Sequence, residues 1–497
     1  MLEGQRARHE RDRSGRRRRG RFGGHRYGTG AGYGRSLVPR LRVIGAGLAG
    51  CEAAWQAAER GIDVELVEMR PHASGPAHKT DRFAELVCSN SLRGASLENA
   101  VGLLKEELAR MDSLIVGCAR AAAVPAGGAL AVDRERFSEL VETRLADHPR
   151  VSVVRREVRE IASDRPAIVA CGPLPPQGLS DAIDALLAHV APPGAARARL
   201  HYYDAASPIV ATESLALEQM YAKSRYDKGD GEDYLNIPLD REQYATFVRD
   251  LRELPKHEPK EFESDAAGGK VPYFEGCLPI EEMAARGEDA LRFGPLKPVG
   301  LRDPRTGVAP YAVVQLRKEN VAASAYNLVG FQTRLTWPAQ REAFGRLPGL
   351  ANAEWLRLGV MHRNSFIDAP RYLGPDLALR GTSGIWFAGQ ITGAEGYVEA
   401  AACGLIAATA AARELLGESP QPVPADTALG AVVAHLQNVQ TNDFQPANVS
   451  WAFFSPLPGK PIRDKRERRR ALADRALAHL ERWRAAVAPL AGATLSR

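Results

Sequence analysis

The sequence lacks the marks of several protein classes. No uninterrupted apolar run is long enough to cross a bilayer. The Arg- and Gly-rich start, from Met1 to about Arg40, has no apolar segment of the kind a secretory signal needs. Cysteine is scarce: Cys51, Cys88, Cys118, Cys171, Cys277 and Cys403 are the six, and the nearest two are 30 positions apart. Without a Cys-X-X-Cys there is neither a zinc ribbon nor a thioredoxin-like pair, and no resident metal is expected. A reducing cytoplasm is the compartment that fits such thiols. There is no internal repeat. With 45% hydrophobic and 25% charged residues, wholesale disorder, collagen and coiled-coil fibre are excluded.

What is present is a soluble-type chain of 497 residues, enough for about two to four domains and for a large core without disulfides. The net charge of +6 is uneven. Residues 1–42 hold thirteen Arg against three acids, a surplus of ten, and the remainder, with 53 basic against 57 acidic residues, carries −4. The basicity therefore belongs to a tail. It reads as a disordered extension or an over-extended translation start, with a nucleic-acid-binding arm as the rarer alternative.

The strongest signal is Leu41-Arg42-Val43-Ile44-Gly45-Ala46-Gly47-Leu48-Ala49-Gly50. A short apolar strand runs into Gly-X-Gly-X-X-Gly, then an Ala-rich helix to Glu59-Arg60 stopped by Gly61, then a strand from Ile62 to Val67 ending at Glu68. This is the dinucleotide-binding arrangement. Gly45 permits the tight turn, Gly47 lets the backbone approach a pyrophosphate, and Gly50 lets the helix pack closely. The helix start offers unpaired N–H groups to phosphate, and Glu68 can accept from ribose hydroxyls.

Farther on, helices are expected over 97–112 and 133–146, the latter with Asp133 as N-cap, strand alternation over 151–161, and a buried strand from Ile168 into a turn at Cys171-Gly172-Pro173. From about Leu200 to Trp355 the strand–helix rhythm fades, as in an inserted domain. It returns with Gly384-Ile385-Trp386-Phe387-Ala388-Gly389-Gln390-Ile391-Thr392-Gly393 and an Ala-rich helix from Tyr397 to Leu416. Gly389, Gln390 and Gly393 are the second set of cofactor contacts expected, through backbone N–H groups. The fold class is α/β: a Rossmann-type FAD-binding domain, glutathione-reductase-like, with an inserted α+β domain. Its expected parts are the tail 1–40, the FAD-binding domain in two pieces (41–199 and 356–450), the insert 200–355 and a basic segment 451–497.

Two thiols sit in polar or Gly/Pro-flanked loops: Cys88 in CSNSLRG and Cys277 in FEGCLPIE. A reactive thiol is accessible in such a setting. Cys51, Cys118, Cys171 and Cys403 read as packing residues. His362-Arg363-Asn364 follows a strand-like stretch and divides between a ligand-stacking imidazole and a structural histidine.

These residues carry a resemblance. VIGAGLAGCEAAWQAAERGIDVELVEMRP, HKTDRFAELVCSNSLRG, YDAASPIV, FEGCLPIE, GVMHRNSFI and FAGQITGAEGYVEAAACGL together resemble the bacterial folate- and FAD-dependent tRNA (uracil-5-)-methyltransferases over about residues 41–450. The resemblance implies methylation of C5 of the T-loop uridine at position 54 of tRNA, with methylenetetrahydrofolate as carbon donor, FAD taking the methylene at N5, and NAD(P)H as reductant. It implies that one thiol adds to uracil C6, which makes C5 nucleophilic. Cys277 is the expected nucleophile and Cys88 the residue handling the C5 proton or shielding the flavin, with the two roles exchangeable. His362 would stack on the folate pterin, and Tyr397 could touch the same ligand. tRNA contact would come from a local basic patch, with Lys223, Arg225 and Lys228, the stretch Arg292–Arg305, or Lys465–Arg470 as candidates. Two other functions stay open: the related FAD-dependent wobble-uridine modification, and a non-catalytic FAD-bound tRNA-binding module.

Overall fold

The computed structural model describes residues 39–161, 165–191, 199–257, 278–439 and 444–488; of Arg199, Tyr202, Tyr203, Asp204, His362 and Arg363 it describes the backbone. Cys277 and the FEGC part of its segment lie outside the described residues.

A five-stranded parallel sheet runs in the order Ile385–Phe387, Ala167–Val169, Arg40–Ile44, Asp63–Glu68, Val151–Arg155. The register places Val43 beside both Leu66 and Ile168. The three central strands bury Leu41, Val43, Leu66, Val67, Ile168 and Val169, and their charged residues Arg42 and Glu65 pair with each other at 2.7 Å. The helix Leu48–Glu59 lies against the late helix Tyr397–Leu415, and their Ala and Gly residues let the backbones approach. A Cβ on Gly404 would stand 2.3 Å from the Ala49 carbonyl oxygen. The helices expected at 97–112 and 133–146 are found at Ala100–Arg110 and Arg134–Ala146, with the Asp133 side chain capping the second. A helix at Leu114–Ala121, absent from the sequence reading, buries Cys118.

Between residues 209 and 357 the chain builds a six-stranded antiparallel sheet in the order Tyr221–Ala222, Tyr234–Leu239, Ala312–Lys318, Ala325–Leu328, Ile209–Ala211, Trp355–Arg357. It has its own apolar core. Phe247, Phe331 and Phe344 meet there, with ring centroids 5.6 Å (Phe247–Phe331) and 5.3 Å (Phe331–Phe344) apart. The helix Arg241–Glu253 that supplies Phe247 starts at a capping box, Asp240 with Gln243. An antiparallel pair, Arg199–Ala205 with Met361–Ile367, links the two parts. The basic segment near the end forms the helix Lys465–Ala486, which buries Leu472, Leu480 and Trp483. No helix among the described residues is long and apolar enough to cross a membrane.

Candidate active site: a nucleotide groove beside the Cys88 loop

The Gly-rich turn leaves the middle strand of the parallel sheet, at the carboxyl edge where ligands bind in such folds. Gly45 has φ +100°, and a Cβ there would lie 2.6 Å from the Ala170 oxygen. A Cβ on Gly50 would lie 1.8 Å from the Gly45 oxygen. Around Gly47 such an atom would meet nothing within 4 Å. Two of the three glycines thus hold the turn and helix together, and the middle one faces open space in a groove. The groove is also lined by Glu68, Gly172, Gly389 and Gln390.

Glu68 ends the second strand and turns into this groove, buried. Its Oε2 accepts from the Ala46 N–H at 2.8 Å, and its Oε1 accepts from Arg70 Nε at 2.8 Å. Burial works against the charge, but the Arg70 guanidinium and these N–H donors hold the carboxyl below its ordinary range. An ionised carboxylate that pins the turn still has acceptor capacity for a ribose hydroxyl. Arg70 is in turn paired with Glu85 at 3.2 Å.

On the opposite side, Gly389 and Gln390 line the groove. The Gln390 side chain is engaged with Glu395 at 2.9 Å. The late helix does not begin directly at this turn. A single 3₁₀ turn, Gln390–Thr392, intervenes, and the helix starts at Tyr397 after Gly396, whose φ is +112°. Gly393 lies behind the groove, where a Cβ would strike the Phe444 ring at 2.6 Å. Cys171, expected as a packing residue, packs against the core and also lines the groove wall. It follows the strand Ala167–Val169 and is only partly buried, because the chain turns out at Gly172, φ +67°.

Cys88 is partly buried at the inner end of the site. Its N–H and that of Ser89 donate to Tyr397 Oη at 2.8 and 3.2 Å. Tyr397 therefore braces the thiol loop from the first residue of the late helix, and its ring lines the groove. Burial, then the nearby Cys88, push its phenol pKa up, so it remains a neutral acceptor.

Two arginines that the sequence reading did not single out secure the same loop. Arg134, directly after the N-cap Asp133, donates to the Leu86 carbonyl and, at 3.4 Å, to that of Cys88, and pairs with Glu319 at 2.6 Å. Arg317, buried on the strand Ala312–Lys318, donates to Asn90 Oδ1 at 2.9 Å and Ser89 Oγ at 2.7 Å. Asn90 Nδ2 returns the contact to the Lys318 carbonyl at 2.8 Å. The only sequence hint was the position of Arg134 beside a cap; the Arg317 partners are more than 220 residues away. His362 lies on the strand Met361–Ile367, paired with Asp204.

The basic candidates differ in availability. Lys223 pairs with Asp227 at 2.6 Å, Arg292 with Asp289 at 2.9 Å, and Arg305 with Asp303 at 2.8 Å. Arg225 ties the two stretches together through the carbonyls of Lys297 and Val299. Lys228 is exposed beside Gly127 and Gly128. Lys465–Arg470 opens the C-terminal helix, with Arg466 paired to Glu98.

A parallel sheet with a Gly-X-Gly-X-X-Gly turn, an acid closing the second strand and a returning glycine turn across the groove define a Rossmann-type flavoprotein fold. The family described as "Glucose inhibited division protein A" matches residues 40–419. The chain belongs to this family and, within it, to the methylenetetrahydrofolate--tRNA-(uracil-5-)-methyltransferases. It is 55% identical over 450 residues to the protein so named from Pelobacter propionicus, covering 90% of this chain and 95% of that one. To the one from Geobacter sulfurreducens it is 53% identical over 451 residues, covering 91% and 100%. Among solved structures, Aquifex aeolicus GidA superposes with a TM-score of 0.65 at 15% identity, covering 92% of this chain and 75% of that longer one, a likeness of fold.

Proposed function

We propose that this chain is a methylenetetrahydrofolate--tRNA-(uracil-5-)-methyltransferase that forms 5-methyluridine at the T-loop uridine of tRNA, in the cytoplasm, with FAD and NAD(P)H. The observation that carries the reading is the joining of the two halves at one thiol. The Cys88 loop is fixed by Tyr397 from the late glycine turn's helix and by Arg317 from the antiparallel sheet, in a chain whose relatives bear that name. The groove suits FAD: Gly47 leaves room for pyrophosphate, Glu68 is ionised for ribose, and Gly389 faces them. When bound, FAD supplies the electrons that take a methylene to a methyl.

The remaining steps belong to the protein. A thiolate adds to C6 of the extruded uracil, and the electron pair moves to C5, which takes the one-carbon unit. A base removes the C5 proton as the bond from the one-carbon unit to its donor nitrogen breaks, leaving an exocyclic methylene. A hydride equivalent then reduces this to methyl, and the thiolate leaves C6 as the C5–C6 double bond re-forms. Cys277 is the proposed nucleophile and Cys88 the group at the C5 proton. Tyr397 and Arg134 hold the backbone of Cys88 so that its sulfur keeps one position. His362 is the proposed cover for the pterin.

The test is nucleoside analysis of a tRNA transcript incubated with the protein, NAD(P)H and methylenetetrahydrofolate. 5-Methyluridine is expected, with no product when S-adenosylmethionine replaces the folate. Cys277→Ala should abolish product and Cys88→Ala should cut it at least 100-fold. Full turnover by both variants overturns the thiol chemistry.

A further inference from the structure

Beside the nucleotide groove lies a second and more open cleft, of about 810 Å³. That is toward the upper end of the range for small-molecule sites, about 300–1,000 Å³. Its wall is cationic: Lys79, Arg82, Arg341 and Arg357 all line it. None of these four side chains has a hydrogen-bond or ion-pair partner among the described residues, unlike Arg134, Lys223, Arg292 and Arg305. Two acids share the lining. Glu85 is already committed to Arg70 and to the N–H groups of Lys79 and Thr80, which leaves Glu135 against four free cations. Arg357 is the deepest, and burial, then the neighbouring Arg134, pull its guanidinium down from its ordinary value. Trp337 also faces the cleft, with 53% of its surface exposed. The inner end is Leu86 and Arg134, the residues that back the Cys88 loop.

From these observations we infer that this cleft is the docking site for the tRNA, its phosphates on Lys79, Arg82, Arg341 and Arg357 and one unstacked base on the Trp337 face. The inference rests on the methyltransferase reading. Free cations lining one cleft suit a polyanion that brings its own negative charge, and an exposed indole in the same cleft is a stacking platform of the kind single-stranded nucleic acid uses. The paired residues of Lys223–Asp227, Arg292–Asp289 and Arg305–Asp303 would each have to give up an acid first. The cleft also ends where the target must arrive, at the thiol loop.

The experiment measures equilibrium binding of a tRNA transcript to the full-length protein over a range of salt. The variants are Lys79→Ala with Arg341→Ala, Trp337→Ala, and Lys465→Ala with Arg470→Ala as a comparison of equal charge loss. Lys79, Arg341 and Trp337 are exposed, so folding should tolerate their replacement. The first pair should lower the slope of log K against log salt by about 0.7–0.9 per cation removed. Trp337→Ala should weaken binding about 10-fold with the slope unchanged. The inference is overturned if both sets bind as the parent does, if the slope is lost only in the Lys465/Arg470 pair, or if only the KM for polyglutamylated folate rises. A parent protein that binds tRNA through this cleft yet forms no 5-methyluridine would overturn the methyltransferase reading and leave the docking site standing.

Discussion

The parallel and the antiparallel sheets reach the Cys88 loop by different means. The parallel sheet works through its backbone: a turn with open space over Gly47, an acid at the next strand end that takes the Ala46 N–H, and glycines at 45 and 50 where a side chain would collide. These features are consecutive, within residues 45–68. The antiparallel sheet works through single long side chains. Arg317, and Glu319 just past the end of its strand, reach out to Ser89, Asn90 and Arg134. A cofactor's phosphates need many weak donors in a fixed arc, which a turn provides. A loop that must hold a thiol in place needs a few strong bonds from outside itself.

The largest effect should come from the glycines of the first region, and it should split them. Gly50→Ala places a carbon against the Gly45 carbonyl oxygen and should cost more than about 3 kcal/mol, seen as loss of soluble, cooperatively unfolding protein. Gly47→Ala meets no atom of the protein and should fold to within about 1 kcal/mol of the parent. It should nonetheless lose most of its flavin, measured by visible absorbance per chain. Retained flavin in Gly47→Ala would mean that the pyrophosphate does not pass over this turn.

The second region should break differently. Arg317→Met leaves Asn90 Oδ1 and Ser89 Oγ without their charged donor in a buried setting, a loss of about 3 kcal/mol. Flavin should stay bound while 5-methyluridine formation falls at least 100-fold. Normal turnover would show that the antiparallel sheet does not position the thiol loop. Tyr397→Phe is the milder test: the N–H groups of Cys88 and Ser89 lose their acceptor, costing about 1–3 kcal/mol. Turnover should drop about 10-fold, with flavin content unchanged.

This contrast also explains what could be read from the sequence. The strand, glycine turn, helix and Glu68 were legible because each depends on neighbours within one turn or strand. The late strand and helix were legible for the same reason. The 3₁₀ turn before Tyr397 was not, since Gly389, Gly393 and Gly396 all permit a turn and only packing on Phe444 selects the path. That Tyr397 lines the groove fits its place at the helix start, but the bonds of its hydroxyl to backbone N–H groups more than 300 residues away could not be read from the sequence. The roles of Arg134, Arg317 and Arg357 were not legible, beyond the place of Arg134 beside a cap, because pairing, burial and openness are properties of the assembled surface. Cys171 packs on the core as expected, and its second face, on the groove, depends on the turn at Gly172.

Even the more legible half depends on one distant polar contact, and its test is a pH profile of stability instead of a loss of flavin or turnover. Glu107, on the helix Ala100–Arg110, is fully buried and accepts from the N–H groups of Ala428 and Leu429 at 2.7 and 2.9 Å, at the start of the helix Ala428–Leu436. Burial raises its pKa to about 8 from the ordinary 4.5, with the two N–H donors opposing the shift. Between these values the folded chain holds a proton that the unfolded chain has released. The stability this group contributes is therefore fully present below about pH 4.5 and is lost as the pH rises toward 8, with a slope of at most about 1.4 kcal/mol per pH unit. Glu107→Gln keeps a neutral acceptor and removes the titration. In urea unfolding at pH 5, 6.5 and 8, the variant should lose less stability than the parent as pH rises, so that the difference between the two grows in its favour. Parallel pH profiles for the two proteins would mean that the carboxyl is ionised throughout, held by the helix N-terminus more strongly than burial opposes it.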